Sequence, residues 1–267
     1  MGVHLKTEGR HVAVVTIDRP QRANSLDPAT LSELAAAWRE VADNVEIRSV
    51  VLTGAGERVF CAGMDMKSTI AASQRLAAGE RLDEASFEGL RSAKTALLAG
   101  FDLGKPLICA INGHARAGGF DLMLAAEVRY AVPEATFALE EVALGLYPTG
   151  NSTVLLPRQI PWVHAQRLLL TAEPIDAQEA ARIGLINRVV ERDALMDVAL
   201  SDAERIANNA PLAVQTTRAG VRELLTVPLP EAYVRQEDLG KPLRKTEDAR
   251  EGQRAFVEKR TPVFHGR

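Results

Sequence analysis

The chain has 267 residues, of which 46% are hydrophobic and 25% charged, and its formal net charge is −3. This composition is typical of a soluble globular protein, and the interspersed charges disfavour a nucleic-acid partner, which requires a concentrated basic face. The N-terminus alternates and carries charge, unlike a signal peptide, and no apolar run approaches the roughly 18 residues of a membrane span. We therefore expect a cytoplasmic protein with no membrane partner.

The first hundred residues predict both strands and helices. Strand patterns rich in β-branched residues lie at 11–17 and 49–53. Between them, Asp27 and Pro28 predict the start of a helix, because Asp caps a helix N-terminus and Pro suits its first position. A glycine-containing loop at 60–69 then leads into a helical pattern over 70–100, whose least regular part is 79–89.

Beyond residue 100 the strand patterns give way to helix. The remaining strand patterns lie at 106–111, 128–132 and 136–139. We expect a turn at 112–115, after which residues 117–119 open an apolar helix. From about residue 152 the pattern is helical, and Asp176 with Glu179 resembles a capping box. Amphipathic helix patterns lie at 191–208, 211–226 and 246–259.

The two cysteines, Cys61 and Cys109, both lie in apolar surroundings. Free cysteine usually behaves as a small buried hydrophobe, so we predict buried thiols and no disulfide framework. No Cys/His cluster has the spacing of a zinc site, and we therefore expect no metal site.

Two glycine-containing loops follow apolar strands, at residues 62–65 and 117–119. A helix N-terminus has free N–H groups, and glycine lets a ligand approach the backbone closely. An oxygen that becomes anionic would fit there. Glycine before a helix is more often only a tight turn, so neither loop is specific by itself.

Two acidic positions near these loops are candidates for proton transfer. Asp121 is the only charged residue between Ala117 and Ala126, and a first-turn carboxylate that complements the helix dipole is the simpler interpretation. Glu140 and Glu141 follow a strand pattern, where paired glutamates are usually a solvated edge.

Five segments together resemble the enoyl-CoA hydratase/isomerase (crotonase) family. They are RPQRANSLD, FCAGMDM, AINGHARAGGFDLMLAAEVRYA, ALEEVALGLYPTGNST and AFVEKRTPVFHGR. The resemblance spans essentially the whole chain and implies an α/β fold, a spiral of ββα turns with a helical C-terminal lobe. It implies a core at 1–200 that carries the active site and an oligomerisation lobe at 201–267, in trimers that often pair into hexamers.

The resemblance also implies an acyl-CoA site. The backbone N–H groups of Met64 and Gly118 would hold the thioester oxygen, and Asp121 and Glu141, twenty residues apart, match the two catalytic carboxylates of the hydratases. Coenzyme A is part of the substrate, and no separate cofactor is implied. Further substrate contacts would come from Arg22, Ala23, Ala62, Gly63, Asp65, Met66, Pro148, Phe256 and Lys259.

The sequence indicates the family more specifically than it indicates which of the family's reactions the protein catalyses. The hydratases carry Glu where this chain has Asp121, one methylene shorter. The dienoyl-CoA isomerases share Asp and Glu at the two positions but add an Asp where this chain has Thr149. We expect an enoyl-CoA hydratase, with an enoyl- or dienoyl-CoA isomerase as the alternative. A non-catalytic acyl-CoA binding protein and a hydrolase are further alternatives, although both carboxylate positions are kept and no dedicated nucleophile is present.

Overall fold

The computed structural model describes residues 2–267 and contains two sheets. The larger has six strands in the order β1-β2-β3-β5-β7-β10, of which only β1 is antiparallel to its neighbour. Its strands are β1 (Val3–Glu8), β2 (Val12–Ile17), β3 (Ser49–Gly54), β5 (Leu107–Ile111), β7 (Val128–Ala131) and β10 (Arg188–Val189). β3 and β5 are buried along their whole length, as strands covered on both faces of a parallel sheet must be.

The smaller sheet has four short strands in the order β4-β6-β8-β9. They are β4 (Val59–Cys61), β6 (His114–Arg116), β8 (Thr136–Ala138) and β9 (Ile175–Asp176), and only β9 is antiparallel. The turn predicted at 112–115 is shorter than expected, because β6 already begins at His114.

Eleven α-helices surround the sheets within residues 2–267. They are α1 (Pro28–Asp43), α2 (Ala71–Ala77), α3 (Glu84–Ala96), α4 (Gly118–Leu124), α5 (Ser152–Gln159), α6 (Trp162–Thr171), α7 (Ala177–Arg182), α8 (Leu195–Ala207), α9 (Pro211–Leu224), α10 (Leu229–Leu243) and α11 (Glu247–Glu258). Shorter helical turns occur at Pro20–Arg22, Met66–Ile70, Val142–Leu144 and Arg192–Ala194.

Helix α1 begins as its sequence predicts. The Asp27 carboxylate accepts a hydrogen bond of 2.8 Å from the Thr30 N–H, and Pro28 occupies the first turn. Its apolar face is fully buried, and the Trp38 indole donates to the Ala96 carbonyl at the end of α3. This buried hydrogen bond joins α1 to α3. It also satisfies the indole N–H, the one polar group of the largest fully buried side chain.

The helical region predicted at 70–100 is divided in two. Helix α2 ends before Gly79, which has a positive φ of 81°, and Asp83 then caps α3 by accepting from the Ser86 N–H. The irregular part is therefore shorter than predicted, since residues 84–89 are already helical.

The last third of the chain is mainly helical, as predicted, although β9 and β10 add two-residue strands to it. Asp176 caps α7 by accepting from the Glu179 N–H, but the Glu179 carboxylate pairs with Arg182, so only one half of the predicted capping box forms. Helix α8 runs through residue 200 and buries Ala199 and Ala203 in the core. The domain division at residue 200 stays a prediction.

Helices α9 and α10 pack against each other and expose much apolar surface. α10 contains no fully buried residue. The exposed apolar side chains of this helix pair and of the residue that follows α9 are Val221, Leu225, Leu229, Tyr233 and Val234. The C-terminal tail is held to α11 through the Asp248 carboxylate, which accepts from the N–H groups of His265 and Gly266.

Both cysteines are buried and free, which confirms the prediction. Burial raises the pKa of the Cys61 thiol and of the Cys109 thiol to about 12. Of the helices formed by residues 2–267, none is long and apolar enough to cross a membrane.

Candidate active site

Two neighbouring parallel strands deliver polar groups to one edge of the smaller sheet. In the register of β6 and β8, Arg116 lies beside Ala138, and the Ala117 N–H donates to the Ala138 carbonyl at 3.0 Å. Because parallel strands end at the same edge, the glycine loop after β6 and the glutamates after β8 emerge side by side.

The first glycine loop, residues 62–65 after β4, is held along the segment 23–26. The Ala62 N–H donates to the Ala23 carbonyl at 3.1 Å, the Leu26 N–H to Gly63 at 2.8 Å, and the Asp65 N–H to Leu26 at 3.0 Å. In this parallel bridge the Gly63 carbonyl and the Asp65 N–H, on either side of Met64, face the segment 23–26. The Met64 N–H belongs to the same trans peptide as the Gly63 carbonyl, and the two groups of a trans peptide point in opposite directions. The N–H of Met64 itself therefore points to the opposite side.

The two loops approach each other at their glycines. Gly63 has a positive φ of 83°, and a Cβ placed on it would lie 2.8 Å from the Gly118 nitrogen. A Cβ placed on Gly118 would lie 3.6 Å from the Met64 nitrogen. A side chain at Gly63 would crowd this space, whereas a Cβ at Gly118 would make ordinary van der Waals contacts. The Met64 and Gly118 nitrogens therefore lie close together in a space that Gly63 keeps open.

Backbone strain occurs beside this pair of N–H groups. Ala117 has φ 44° and ψ −119°, a conformation that a residue with a Cβ rarely adopts. Such strain costs about 1–3 kcal/mol and persists where the surroundings over-determine it, often at functional sites. Here it turns the chain from β6 into α4, with Gly118 as the first helical residue.

Asp121 lies in the first turn of α4 and is only 3% exposed. Its Oδ1 accepts a hydrogen bond of 2.6 Å from the Ser152 N–H, and the Asn151 side chain donates to the Asp121 carbonyl at 3.0 Å. Burial raises the pKa of Asp121, and hydrogen bonds from Ser152 and Asn151 oppose this shift only in part. The catalytic role of Asp121 stays a prediction.

Glu141 begins the helical turn after β8 and is partly buried. Burial raises its pKa, and the negative charges of Asp121 and Glu140 add to the rise. Its Oε2 is buried and has no hydrogen-bond partner within residues 2–267. Two carboxyl groups, close enough for the Asp121 charge to raise the pKa of Glu141, therefore lie near the glycine loops, a constellation that suits proton transfer beside an oxyanion.

The sequence model of the enoyl-CoA hydratase/isomerase family matches residues 7–267. The chain belongs to the enoyl-CoA hydratase/isomerase family. It is 42% identical to (E)-benzylidenesuccinyl-CoA hydratase from Thauera aromatica, over 96% of each chain. It is 39% identical to carnitinyl-CoA dehydratase from Proteus mirabilis (strain HI4320), over 99% of this chain and 98% of that one. The crystal structure of enoyl-CoA hydratase from Bacillus anthracis superposes with a TM-score of 0.90 at 33% identity, covering 100% of both chains.

The family assignment confirms the predicted crotonase-like α/β fold. It also makes this chain a member of a group of acyl-CoA enzymes whose named relatives above include a hydratase and a dehydratase.

The other predicted substrate contacts of this family member are distributed along the first loop and its neighbours. Arg22 is exposed at the end of a 3₁₀ turn, and the following Ala23 has a positive φ of 52°. Met66 is 56% exposed, whereas Pro148 is buried. These roles stay predictions.

Asp65 has a structural task in this family member. Its carboxylate accepts from the N–H groups of Lys67 and Ser68 and from the Ser25 hydroxyl. Burial alone would raise the pKa of Asp65, but these hydrogen bonds outweigh it and lower the pKa. The side chain thus caps the helical turn that follows the first loop.

Phe256 lies on α11, and Lys259 directly follows that helix. Phe256 is 86% exposed, and Lys259 ends the helix with a positive φ of 52°. No hydrogen bond or ion pair formed by residues 2–267 joins either side chain to the two loops.

Sequence reasoning missed several groups of this enoyl-CoA hydratase/isomerase family site. Ser152 and Asn151 hold Asp121 from about thirty residues away, and Arg116 pairs with Glu140 at 3.2 Å. The only local signal for Ser152 and Asn151 was their position shortly after Pro148, in the segment that resembles the family. Within the described part of the chain, no group of three or more His, Cys, Asp or Glu residues is arranged to hold a metal ion.

Proposed function

We propose that this protein is an enoyl-CoA hydratase, a hydro-lyase that adds water to the double bond of a 2-enoyl-CoA thioester. The observation that carries the proposal is the placement of the Met64 and Gly118 N–H groups near two carboxyl groups whose pKa values are raised. The names of the relatives, a hydratase and a dehydratase, support addition or removal of water over double-bond migration.

The two N–H groups would bind the thioester carbonyl oxygen. When water attacks the β carbon, an electron pair moves onto this oxygen and an enolate forms. Backbone donors stabilise that charge without rearrangement, and removing one such donor typically costs roughly 10²–10³ in rate, or about 2.7–4 kcal/mol. Because both donors are main-chain groups, the side chain of Met64 does not weaken the first one.

Glu141 and Asp121 would manage the protons. One O–H bond of water breaks as its oxygen bonds to the β carbon, the carboxyl groups take up that proton, and the α carbon receives one as the enolate collapses. The net change is one water added, and both carboxyl groups return to their initial state. Glu141 suits transfer because its Oε2 has no partner within residues 2–267. Asp121 suits positioning of the water, since one of its oxygens is fixed by Ser152.

The remaining predicted contacts would bind the CoA part and the acyl chain. Arg22 and Lys259 carry the charge that phosphates require. Ala23, Ala62, Gly63, Asp65 and Met66 would line the channel beside the first loop, with Pro148 near the acyl chain and Phe256 at the CoA. The substrate itself contains coenzyme A, and we propose no separate cofactor.

The first test is incubation of the pure protein with crotonyl-CoA, following loss of the conjugated thioester absorbance and identifying the product by mass. A water adduct is expected, and labelled water should enter the product. Replacement of Glu141 with Gln should lower kcat by roughly 10²–10⁴ if it is the general acid/base. Glu134→Gln, an exposed glutamate paired with Arg192, is the matched control and should leave kcat unchanged. Product formed without solvent oxygen would replace the proposal with isomerisation.

We also propose a homotrimer or a hexamer. The apolar side chains exposed on the α9–α10 pair support it, because a monomer rarely exposes a large contiguous apolar surface. Light scattering should give three or six times the chain mass of 28.9 kDa. A single chain mass at micromolar concentration would contradict this. The cytoplasmic location stays a prediction for fractionation to test.

A further inference from the structure

Arg116 occupies an unusual position between the two halves of the site. It is the last residue of β6, two residues before Gly118, and its side chain crosses to the chain that follows β8. One guanidinium nitrogen lies 3.2 Å from a Glu140 carboxylate oxygen, and another donates to the Thr136 hydroxyl at 2.7 Å. Glu140 directly precedes Glu141. This ion pair therefore joins the segment that contains Gly118 to the segment that contains Glu141.

A hydrogen-bond network through Thr136 and His114 holds the Arg116 guanidinium in place. Thr136 accepts from Arg116, which leaves its own hydroxyl hydrogen free for the His114 Nδ1 at 2.9 Å. This requires an unprotonated Nδ1. Burial lowers the pKa of His114, and the charges of Arg116 and Arg58 lower it further, which favours that neutral ring.

The network lies on one face of the smaller sheet. His114 and Arg116 alternate with the buried Ala115, as side chains along a strand do. The Arg116 side chain is 24% exposed, so it is shielded from water more than an ordinary surface arginine. A half-buried guanidinium with two fixed partners has one geometry, and it therefore constrains the backbone that it joins.

We propose that Arg116 is a positioning residue: it fixes the segment that carries Glu141 relative to the Gly118 N–H and neutralises the Glu140 charge beside Glu141. This rests on the proposed proton-transfer role of Glu141. Without Arg116, the segment 139–141 loses its only side-chain tie to β6 within residues 2–267, and Glu141 faces two uncompensated carboxylates.

The charged groups around Glu141 determine how Arg116 could affect its protonation. Asp121 faces it from α4, and Glu140 lies beside it in the same segment. Helix α6, which packs against the turn after Glu141, carries His164 and Arg167, and these stay unchanged in every variant. The Glu140 charge raises the pKa of Glu141, after the larger effects of burial and of the Asp121 charge. Arg116 lies 3.2 Å from the Glu140 carboxylate and carries the charge that opposes that of Glu140.

The test compares Arg116→Met, Arg116→Lys, Glu140→Gln and the double variant Arg116→Met/Glu140→Gln by the pH dependence of kcat. Met keeps the apolar stem and removes the charge. We expect Arg116→Met to lower kcat about tenfold with KM changed less than about threefold, since a misplacement of 1 Å costs about 10². The pH profile of kcat should have a limb, a rise or fall of kcat with pH, whose midpoint reports the protonation of Glu141. This midpoint should move up by roughly half a pH unit in Arg116→Met and down in Glu140→Gln. The double variant should return the limb close to its wild-type position.

Lysine separates the two roles of Arg116. Arg116→Lys keeps the charge but cannot hold Glu140 and Thr136 together, so it should restore the pH limb and only part of kcat. Arg182→Met, which breaks an exposed ion pair with Glu179, is the matched control and should change neither quantity. An unchanged kcat and pH profile in Arg116→Met would overturn the proposal, as would a loss of kcat explained by unfolding alone, with the limb unmoved.

A second readout separates this proposal from the hydratase assignment. A cinnamoyl-CoA with an electron-donating para substituent absorbs at longer wavelength when its carbonyl is polarised by hydrogen bonds. If the wild-type protein shifts this band but hydrates no enoyl-CoA, the hydratase proposal fails. The pH dependence of the band in the same variants then decides the role of Arg116. An upward displacement of the pH midpoint of the band shift in Arg116→Met supports that role. The same midpoint in all variants refutes it.

Discussion

Replacing Gly150 with Ala should disable the enzyme through Asp121. A Cβ on Gly150 would overlap the Asp121 Oδ2 and Cγ and come within 2.9 Å of Oδ1. The Cβ would lie 2.1 Å from Oδ2, whereas non-bonded heavy atoms separate best at about 3.5–4.0 Å, so the carboxylate has to retreat by more than about 1 Å. It cannot do so freely, because the Ser152 N–H holds Oδ1 and Asn151 holds its backbone carbonyl.

The expected cost follows from this displacement. Misplacing a catalytic group by about 1 Å can cost roughly 10²-fold in rate, which is about 2.7 kcal/mol of activation free energy. Overpacking should also lower the free energy of unfolding by about 1–3 kcal/mol. The assay is kcat for hydration of crotonyl-CoA, with circular dichroism and thermal unfolding as checks that the variant is folded.

Two further variants make the test decisive. Gly240→Ala, in α10, places its Cβ in open space and should leave kcat unchanged. If Gly150 acts through Asp121, the double variant Gly150→Ala/Asp121→Asn should lose little more activity than Asp121→Asn alone. Full activity in folded Gly150→Ala would refute the reasoning, because it would mean that the placement of Asp121 does not matter for the reaction.

Three other predictions concern stability and reactivity. Asp27→Ala should lower the free energy of unfolding in urea by about 1 kcal/mol, because the Thr30 N–H loses its cap. Asp121 has a folded-state pKa raised above its unfolded value, so its contribution to stability is fully present below the unfolded pKa and is lost as pH rises through the folded pKa. Urea unfolding at pH 4 and pH 8 should therefore show a smaller loss of stability with rising pH in Asp121→Asn than in the wild type. Cys61 and Cys109, whose pKa values are raised to about 12, should react with a thiol reagent at pH 8 only after denaturation.

Each of these has a clear contrary result. Equal urea midpoints for Asp27→Ala and the wild type would show that water caps α1 as well as the carboxylate does. Parallel pH curves for Asp121→Asn and the wild type would mean that Asp121 is not destabilised as an anion in the folded state. Rapid thiol labelling of the native protein would mean that the segments around Cys61 or Cys109 open readily.

The sequence could predict the elements that carry strong local signals. β3 and β5 are continuous apolar runs because both faces of the sheet are covered, and the start of α1 carries its own cap. It did not predict β1, in which only Val3 is buried and four of the six side chains are polar. The strand pairs with β2 through backbone hydrogen bonds, which any side chain allows.

The candidate site divides in the same way. The glycine loops and the two carboxylates lie in matching motifs, and so the resemblance could indicate them. The groups that hold Asp121 and Glu140 could not be predicted, because Ser152 and Arg116 act over 31 and 24 residues of chain, respectively. Contacts between such distant residues leave no periodicity or turn signal, and only the folded arrangement of β6, β8 and α5 produces them.

The close approach of Gly63 and Gly118 also bears on how such an enzyme can evolve. The two backbone N–H groups do not depend on the identity of a side chain, and apart from a change to proline, no substitution gives them a different charge. The carboxyl groups of Asp121 and Glu141 are side chains, and the codons for Asp and Glu differ by a single base. A lineage can therefore exchange one methylene at position 121, and with it the reach of the proposed proton-transfer group, while the proposed means of stabilising the enolate passes unchanged to its descendants.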